Sequence, residues 1–184
     1  MSALVLLLLS ILGSDDLLDQ VEHHDAKNGD VRIHYVTLGD PEAPLIVLLH
    51  GFPDYWYTWR EQMPALAEEY RVAAMDLRGY DRSDAPDGVD AYAMRHLIGD
   101  VAAVIAAEGR KSAIVIGHDW GAAIAWQVAM WRPDLVERLV ILNVPHPNGL
   151  SRELAENDEQ RENSQYASDF QKEGAHEKQI GRAS

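Results

Sequence analysis

A mostly parallel β-sheet with helices on both faces is the architecture this sequence predicts. Two observations carry that expectation. Short apolar runs alternate along the chain with segments of helical period, the pattern of strand–helix–strand units. One run, 45–49, is also continuously apolar and bounded by Pro and Gly, as a strand buried on both faces should be. Residues 31–37 (VRIHYVT) alternate apolar and polar side chains after the turn residues Asn28, Gly29 and Asp30, which predicts a half-buried strand. Residues 45–49 (LIVLL), between Pro44 and Gly51, predict a fully buried strand. Helical spacing follows over 61–69, and 71–75 (RVAAM) returns to strand. Over 92–108 the residues Leu97, Val101, Val104 and Ile105 fall on one helical face. Strand, helix and strand are then predicted over 112–116, 122–131 and 139–142 (LVIL). After Pro147 the composition turns polar and charge-dense. Residues 151–184 hold too few apolar side chains to form a core and read as the start of a further helical element.

At 184 residues the chain has the length of one domain with a sizeable core, and 47% hydrophobic with 25% charged residues is ordinary globular composition. A formal net charge of −14 argues against a nucleic-acid partner, since a phosphate backbone needs a basic face. Cys is absent, so disulfides and thiolate metal sites are excluded. Residues 3–12 (ALVLLLLSIL) have the apolar length of a signal-peptide core and are too short to span a bilayer. No Lys or Arg precedes them, and Gly13 and Ser14 are a mediocre cleavage site. The segment nonetheless points to export, with no stable membrane span. His23, His24 and Asp25 form a local cluster of metal-ligand types. They lack partners elsewhere in the sequence, so no metal is expected.

Residues 117–122 (GHDWGA) carry the chemistry. They place a carboxylate, Asp119, at a tight turn between an apolar strand and an apolar helix, where ligands bind in an open parallel sheet. Gly117 and Gly121 permit a sharp backbone and close strand–helix approach, the requirement of a G-x-S-x-G nucleophile elbow with Asp in place of Ser. A carboxylate needs no base to become nucleophilic, and the helix N-terminus beside it favours the anion. An Asp there also serves as an ordinary helix N-cap, so the turn alone does not decide. Residues 50–60 (HGFPDYWYTWR) follow the LIVLL strand, where the backbone N–H of Phe52 can form an oxyanion hole with that of Trp120.

Taken together, HGFPDYWYTWREQMPAL, DLRGYDRSDAP (76–86), GHDWGAAIAW and LVILNVPHP (139–147) resemble the epoxide hydrolase branch of the α/β-hydrolase superfamily in order and spacing. The resemblance covers about residues 31–174. Haloalkane dehalogenases share GHDWG, but usually carry a halide-binding side chain at the third position of HGxP, where this chain has Phe52. The resemblance therefore implies epoxide opening to a vicinal diol through an alkyl-enzyme ester, with carbon–halogen cleavage as the alternative. It implies Asp119 as nucleophile, Phe52 and Trp120 as backbone oxyanion donors, and a small hydrophobic epoxide or haloalkane as substrate. The chemistry needs only carboxylate, imidazole and water, so no cofactor is implied.

The expected organisation is a signal-like segment at 1–14, read from its apolar run, and, from the resemblance, a partial α/β-hydrolase core at 15–149 and the start of a helical cap at 150–184. The family's water-activating His and its acid follow later strands than this sequence supplies. Where some dehalogenases place the acid, after 139–142, stands Asn143. The expectation is an incomplete site, inactive or limited to one turnover, or a non-catalytic remnant. In the cap, the family's lid Tyr stands before a Phe-Gln pair. Here Asp169 precedes Phe170 and Gln171, and Tyr166, one helical turn earlier, is the candidate. An incomplete sheet further implies self-association through the apolar edge at 139–142.

Overall fold

The computed structural model describes residues 14–170; residues 1–13 of the expected signal-like segment and 171–184 of the expected cap lie outside them. The described chain divides into two compact units, with the boundary between Val144 and Pro145. In the first unit a short helix α1 (Ser14–Gln20) leads into a hairpin of β1 (Glu22–Asn28) and β2 (Val31–Leu38). Then come β3 (Leu45–Leu49), a 3-10 turn over Trp56–Trp59, α2 (Met63–Leu66), β4 (Arg71–Met75), α3 (Met94–Ala107), β5 (Ala113–His118), α4 (Trp120–Trp131) and β6 (Val136–Leu142). The second unit contains α5 (Pro147–Glu156), α6 (Asp158–Asn163) and α7 (Gln165–Phe170). No helix among the described residues is long and apolar enough to cross a membrane.

The six strands form one sheet in the order β1-β2-β4-β3-β5-β6. β3, β4, β5 and β6 pair in parallel, and β1 and β2 are antiparallel additions at one edge. Alternation along the buried strands feeds two cores. Val47, Leu49, Ala73, Met75 and Val115 face α3 and α4, against Val101, Val104, Ile105, Ile124 and Val128. Ile46, Leu48, Val72, Ala74 and Ile114 face the other way, against Trp56, Trp59, Met63 and Leu17. The sheet is thus mixed, mostly parallel and covered on both faces, as the periodicity predicts.

Several boundaries differ from the sequence expectation for local reasons. The helix expected over 92–108 begins at Met94, because Ala93 is extended (φ −59°, ψ 144°) and ends a separate 3-10 turn over Val89–Tyr92. The helix expected over 61–69 shrinks to the single turn of α2. The last strand extends back to Val136, through polar residues whose ladder partner is β5. β1 carries no strand signal in the sequence, because its residues, EHHDAKN, are polar and mostly exposed. Its strand state comes from pairing with β2 across the turn at Gly29 (φ 62°).

Behind the strand ends, Asp76 closes β4 and organises its neighbours. Fully buried, it accepts from His34 Nδ1 at 2.6 Å and from the Trp56 N–H at 2.9 Å. Ser83 donates to the Asp76 carbonyl at 2.8 Å and accepts from the His34 N–H at 2.9 Å. Arg78 and Asp100 form a buried ion pair at 2.6 Å, completed by Asn28 and the Ala91 carbonyl. These bonds hold the loop after β3 and the loop after β4 in fixed relation to the sheet.

Candidate active site

Parallel pairing of β3 with β5, in a register that sets Leu49 against Gly117, brings the ends of both strands to the same place. From β3 the chain turns through His50, Gly51 and Phe52 into a cis peptide with Pro53. From β5 it turns through Asp119 directly into α4. Asp119 has φ 52° and ψ −121°, a left-handed backbone that non-glycine residues adopt rarely. Such strain persists only where the surroundings fix it, and it clusters at functional sites.

Three glycines make the approach possible. A Cβ on Gly121 would lie 2.2 Å from the Leu49 carbonyl oxygen and 2.4 Å from that of His50. One on Gly117 would lie 2.4 Å from the Gly121 carbonyl oxygen, and one on Gly51 would lie 2.4 Å from the Asp119 Cβ. The result is a direct bond between the two turns: the Phe52 N–H donates to Asp119 Oδ1 at 2.9 Å. Trp120 opens α4, so its N–H is among the helix's first amides, which have no intrahelical acceptor. Asp119 caps the helix with its carbonyl, accepting from the Ala122 and Ala123 N–H groups; its side chain makes no cap bond. The simple N-cap reading of this Asp is therefore replaced by a carboxylate directed at Phe52. The rings of Phe52 and Trp120, 52% and 50% exposed, leave apolar surface at the mouth of the turn.

Several histidines of the described residues are engaged with other partners. His50 is fully buried; its Nδ1–H donates to the Gly51 carbonyl at 2.8 Å and its Nε2 accepts from the Leu77 N–H at 2.9 Å. Burial pushes its imidazole below the ordinary histidine value. His118 Nε2 accepts from Asn143 Nδ2 at 3.3 Å. His146 caps α5 in the second unit, accepting from the Asn148 N–H at 3.2 Å. His23 and His24 point to opposite faces of β1, His23 to His34 at 2.8 Å and His24 to Thr37 at 2.8 Å, so they do not converge on one ligand position. His34, Asp76 and Asp81 do converge, with ligand atoms within 4.8 Å of one another. There His34 Nδ1 is spent on Asp76, and burial followed by the Asp76 charge raises the Asp81 carboxyl.

Two neighbours of the turn escaped the sequence reading. Tyr80 packs edge-on against His50 at 5.0 Å, and its phenol is raised by burial and by the charge of Asp119. Asn143, considered in the sequence only as the place of a missing acid, accepts from the Asp119 N–H at 3.0 Å. Neither contact is visible in the local sequence, because Tyr80, in the loop after β4, and Asn143, after β6, each meet a residue that follows a different strand. Tyr166, the lid candidate, lies on α7 of the second unit and is 61% exposed. A cleft of about 580 Å³ elsewhere is lined by His23, Arg32, His34, Asp81 and Arg82 and includes none of Phe52, Asp119 or Trp120. Its walls are ion-paired and polar, unlike a pocket for an apolar electrophile.

The alpha/beta hydrolase fold family matches residues 44–177, which span both turns. The chain belongs to the α/β-hydrolase family. Among curated relatives of this α/β-hydrolase, epoxide hydrolase 4 of Mus musculus is 44% identical over 122 residues, covering 66% of this chain and 34% of the relative. An epoxide hydrolase from an endophytic Streptomyces superposes with a TM-score of 0.67 at 42% identity, covering 72% of this chain and 42% of that structure. A mutant epoxide hydrolase from Bacillus megaterium, solved with its diol product, gives a TM-score of 0.76 at 36% identity, covering 82% of this chain and 52% of that structure. The chain thus spans less than half the length of the curated relatives it matches, between 31% and 46% of eight of them.

Proposed function

We propose that Asp119 is the nucleophile of an epoxide-opening site, with the Phe52 and Trp120 backbone N–H groups as its oxyanion hole. The observation that carries this reading is the 2.9 Å bond from the Phe52 N–H to Asp119 Oδ1, made across two strand ends by a carboxylate on a left-handed turn. An oxygen of Asp119 attacks a ring carbon of the epoxide, and the new C–O bond forms as the ring C–O bond breaks. The ring oxygen leaves as an alkoxide and takes a proton from a phenol or from water. The product is an ester whose carbonyl oxygen lies where Oδ1 now meets Phe52, the position at which backbone donors stabilise the tetrahedral stage of ester hydrolysis. A small apolar epoxide suits the exposed Phe52 and Trp120 rings, and the relatives named epoxide hydrolases support that substrate class.

The test is incubation of the chain with styrene oxide, acid quench, and peptide mass spectrometry. The expected result is one adduct of the epoxide's mass on Asp119, absent in Asp119→Asn. No adduct on a folded chain overturns the reading, and halide release from a haloalkane without epoxide reactivity moves the activity to carbon–halogen cleavage.

The proposal includes association of copies through β6. Among the described residues this strand pairs only with β5, and Val140 and Leu142 are each 41% exposed. An apolar edge with open backbone groups is a template for another strand. Val140→Lys is expected to lower the oligomer fraction seen by light scattering; a monomer at high concentration in the unsubstituted chain overturns this part.

A further inference from the structure

We propose that Asn143 is a positioning residue for the Asp119 turn, holding the nucleophile's own backbone N–H so that its carboxylate stays on Phe52. The inference rests on the nucleophilic role of Asp119 proposed above. The β5–β6 ladder ends with His118 against Leu142, and α4 begins at Trp120. Asp119 therefore falls between ladder and helix, and its N–H has no acceptor in either. Asn143 supplies one from the next strand end, its Oδ1 accepting from the Asp119 N–H at 3.0 Å. The same amide uses its other end, donating from Nδ2 to His118 Nε2 at 3.3 Å. One side chain thus grips two consecutive residues of the turn.

The side chain is itself held. Asn143 has φ 65°, a left-handed conformation that Asn adopts more readily than other non-glycine residues. On its far side the Val144 carbonyl accepts from Trp126 Nε1 at 3.1 Å, which fastens the segment to α4. With φ at 52° the Asp119 Cβ lies against Gly51, and from there Oδ1 reaches the Phe52 N–H. Once the N–H is released, the backbone can relax toward a conformation with negative φ, which turns the carboxylate away. Asn fits the position because it combines left-handed tolerance, an acceptor and a donor in one short side chain.

Two substitutions separate the backbone from the bond. Asn143→Gly accepts φ 65° without strain but has no side-chain acceptor; Asn143→Asp keeps both the conformation and an acceptor oxygen. The measurement is the rate of Asp119 alkylation by styrene oxide against epoxide concentration, giving a maximal rate and a half-saturating concentration. Asn143→Gly is expected to lower the maximal rate about tenfold, the worth of one such hydrogen bond, with half-saturation changed less than about twofold. Asn143→Asp is expected to recover the rate to within about threefold. Urea unfolding of each variant, together with its circular dichroism, shows that it is folded at the assay temperature. A folded Asn143→Gly that alkylates at the parent rate overturns this inference and leaves the nucleophile reading standing. Equal loss in both variants also overturns it, since acceptor retention would then not matter. An unreactive parent chain overturns the nucleophile reading, and the positioning role falls with it.

Discussion

Adding one methyl group at Gly121 should separate the two turns of the site. The Cβ of Gly121→Ala would stand 2.2 Å from the Leu49 carbonyl oxygen, against 3.4 Å where ordinary contact begins, a shortfall of about 1.2 Å. The next obstacles, the His50 carbonyl oxygen at 2.4 Å and the Leu49 carbonyl carbon at 2.5 Å, are also backbone, so no side chain can swing aside. The first turn of α4 must therefore retreat from β3 by about 1 Å, carrying Asp119 with it. The Phe52 N–H to Asp119 Oδ1 distance, now 2.9 Å, would then exceed 3.5 Å and the bond would be lost. Overpacking of this kind costs about 1–3 kcal/mol, and a wholly backbone clash belongs at the upper end. Urea unfolding of the first unit measures that cost, and styrene oxide alkylation reads the site. Gly29→Ala is the comparison. Its left-handed φ of 62° costs about 1–2 kcal/mol, but a Cβ there meets nothing within 4 Å and leaves Asp119 untouched. If Gly121→Ala matches the parent in both stability and alkylation, the close strand–helix approach is not what sets the carboxylate.

Other outcomes follow from the buried polar groups. Asp100→Ala strands the Arg78 guanidinium, 3% exposed, and should cost about 3–5 kcal/mol in urea unfolding; a loss under about 1 kcal/mol would mean that water or a neighbour replaces the carboxylate. His50, depressed by burial, binds its proton more weakly folded than unfolded, so its contribution is intact above about pH 6.5 and is lost as pH falls toward the folded value. The urea midpoint should decline over that window with a slope of at most about 1.4 kcal/mol per pH unit from this residue, and His50→Gln should remove that part of the slope. An unchanged slope in His50→Gln would assign the acid sensitivity elsewhere, His23 being the other imidazole among the described residues lowered by burial.

The sequence by itself determined the parallel core and the placement of the nucleophile candidate. Residues 45–49 could be read to the residue because a strand buried on both faces is apolar throughout, with Pro44 and Gly51 at its borders, and 71–75 was legible from the apolar run that follows Arg71. The Gly117–Asp119–Gly121 spacing was legible because close backbone approach admits only glycine, whatever the rest of the fold does. What only the tertiary structure decided lies between elements far apart in the chain. β1 is polar and has no strand signal of its own; its ladder with β2 makes it one. Asp119 and Phe52 are 67 residues apart, and their bond exists because β3 and β5 are neighbours in the sheet. Asn143 reads in the sequence as an acid that is missing. In the fold it becomes the acceptor for an N–H that falls between ladder and helix, because β6 ends one strand away from the turn. Local chemistry is written in the order of residues, whereas which strand ends meet is fixed only when the sheet closes its ladders.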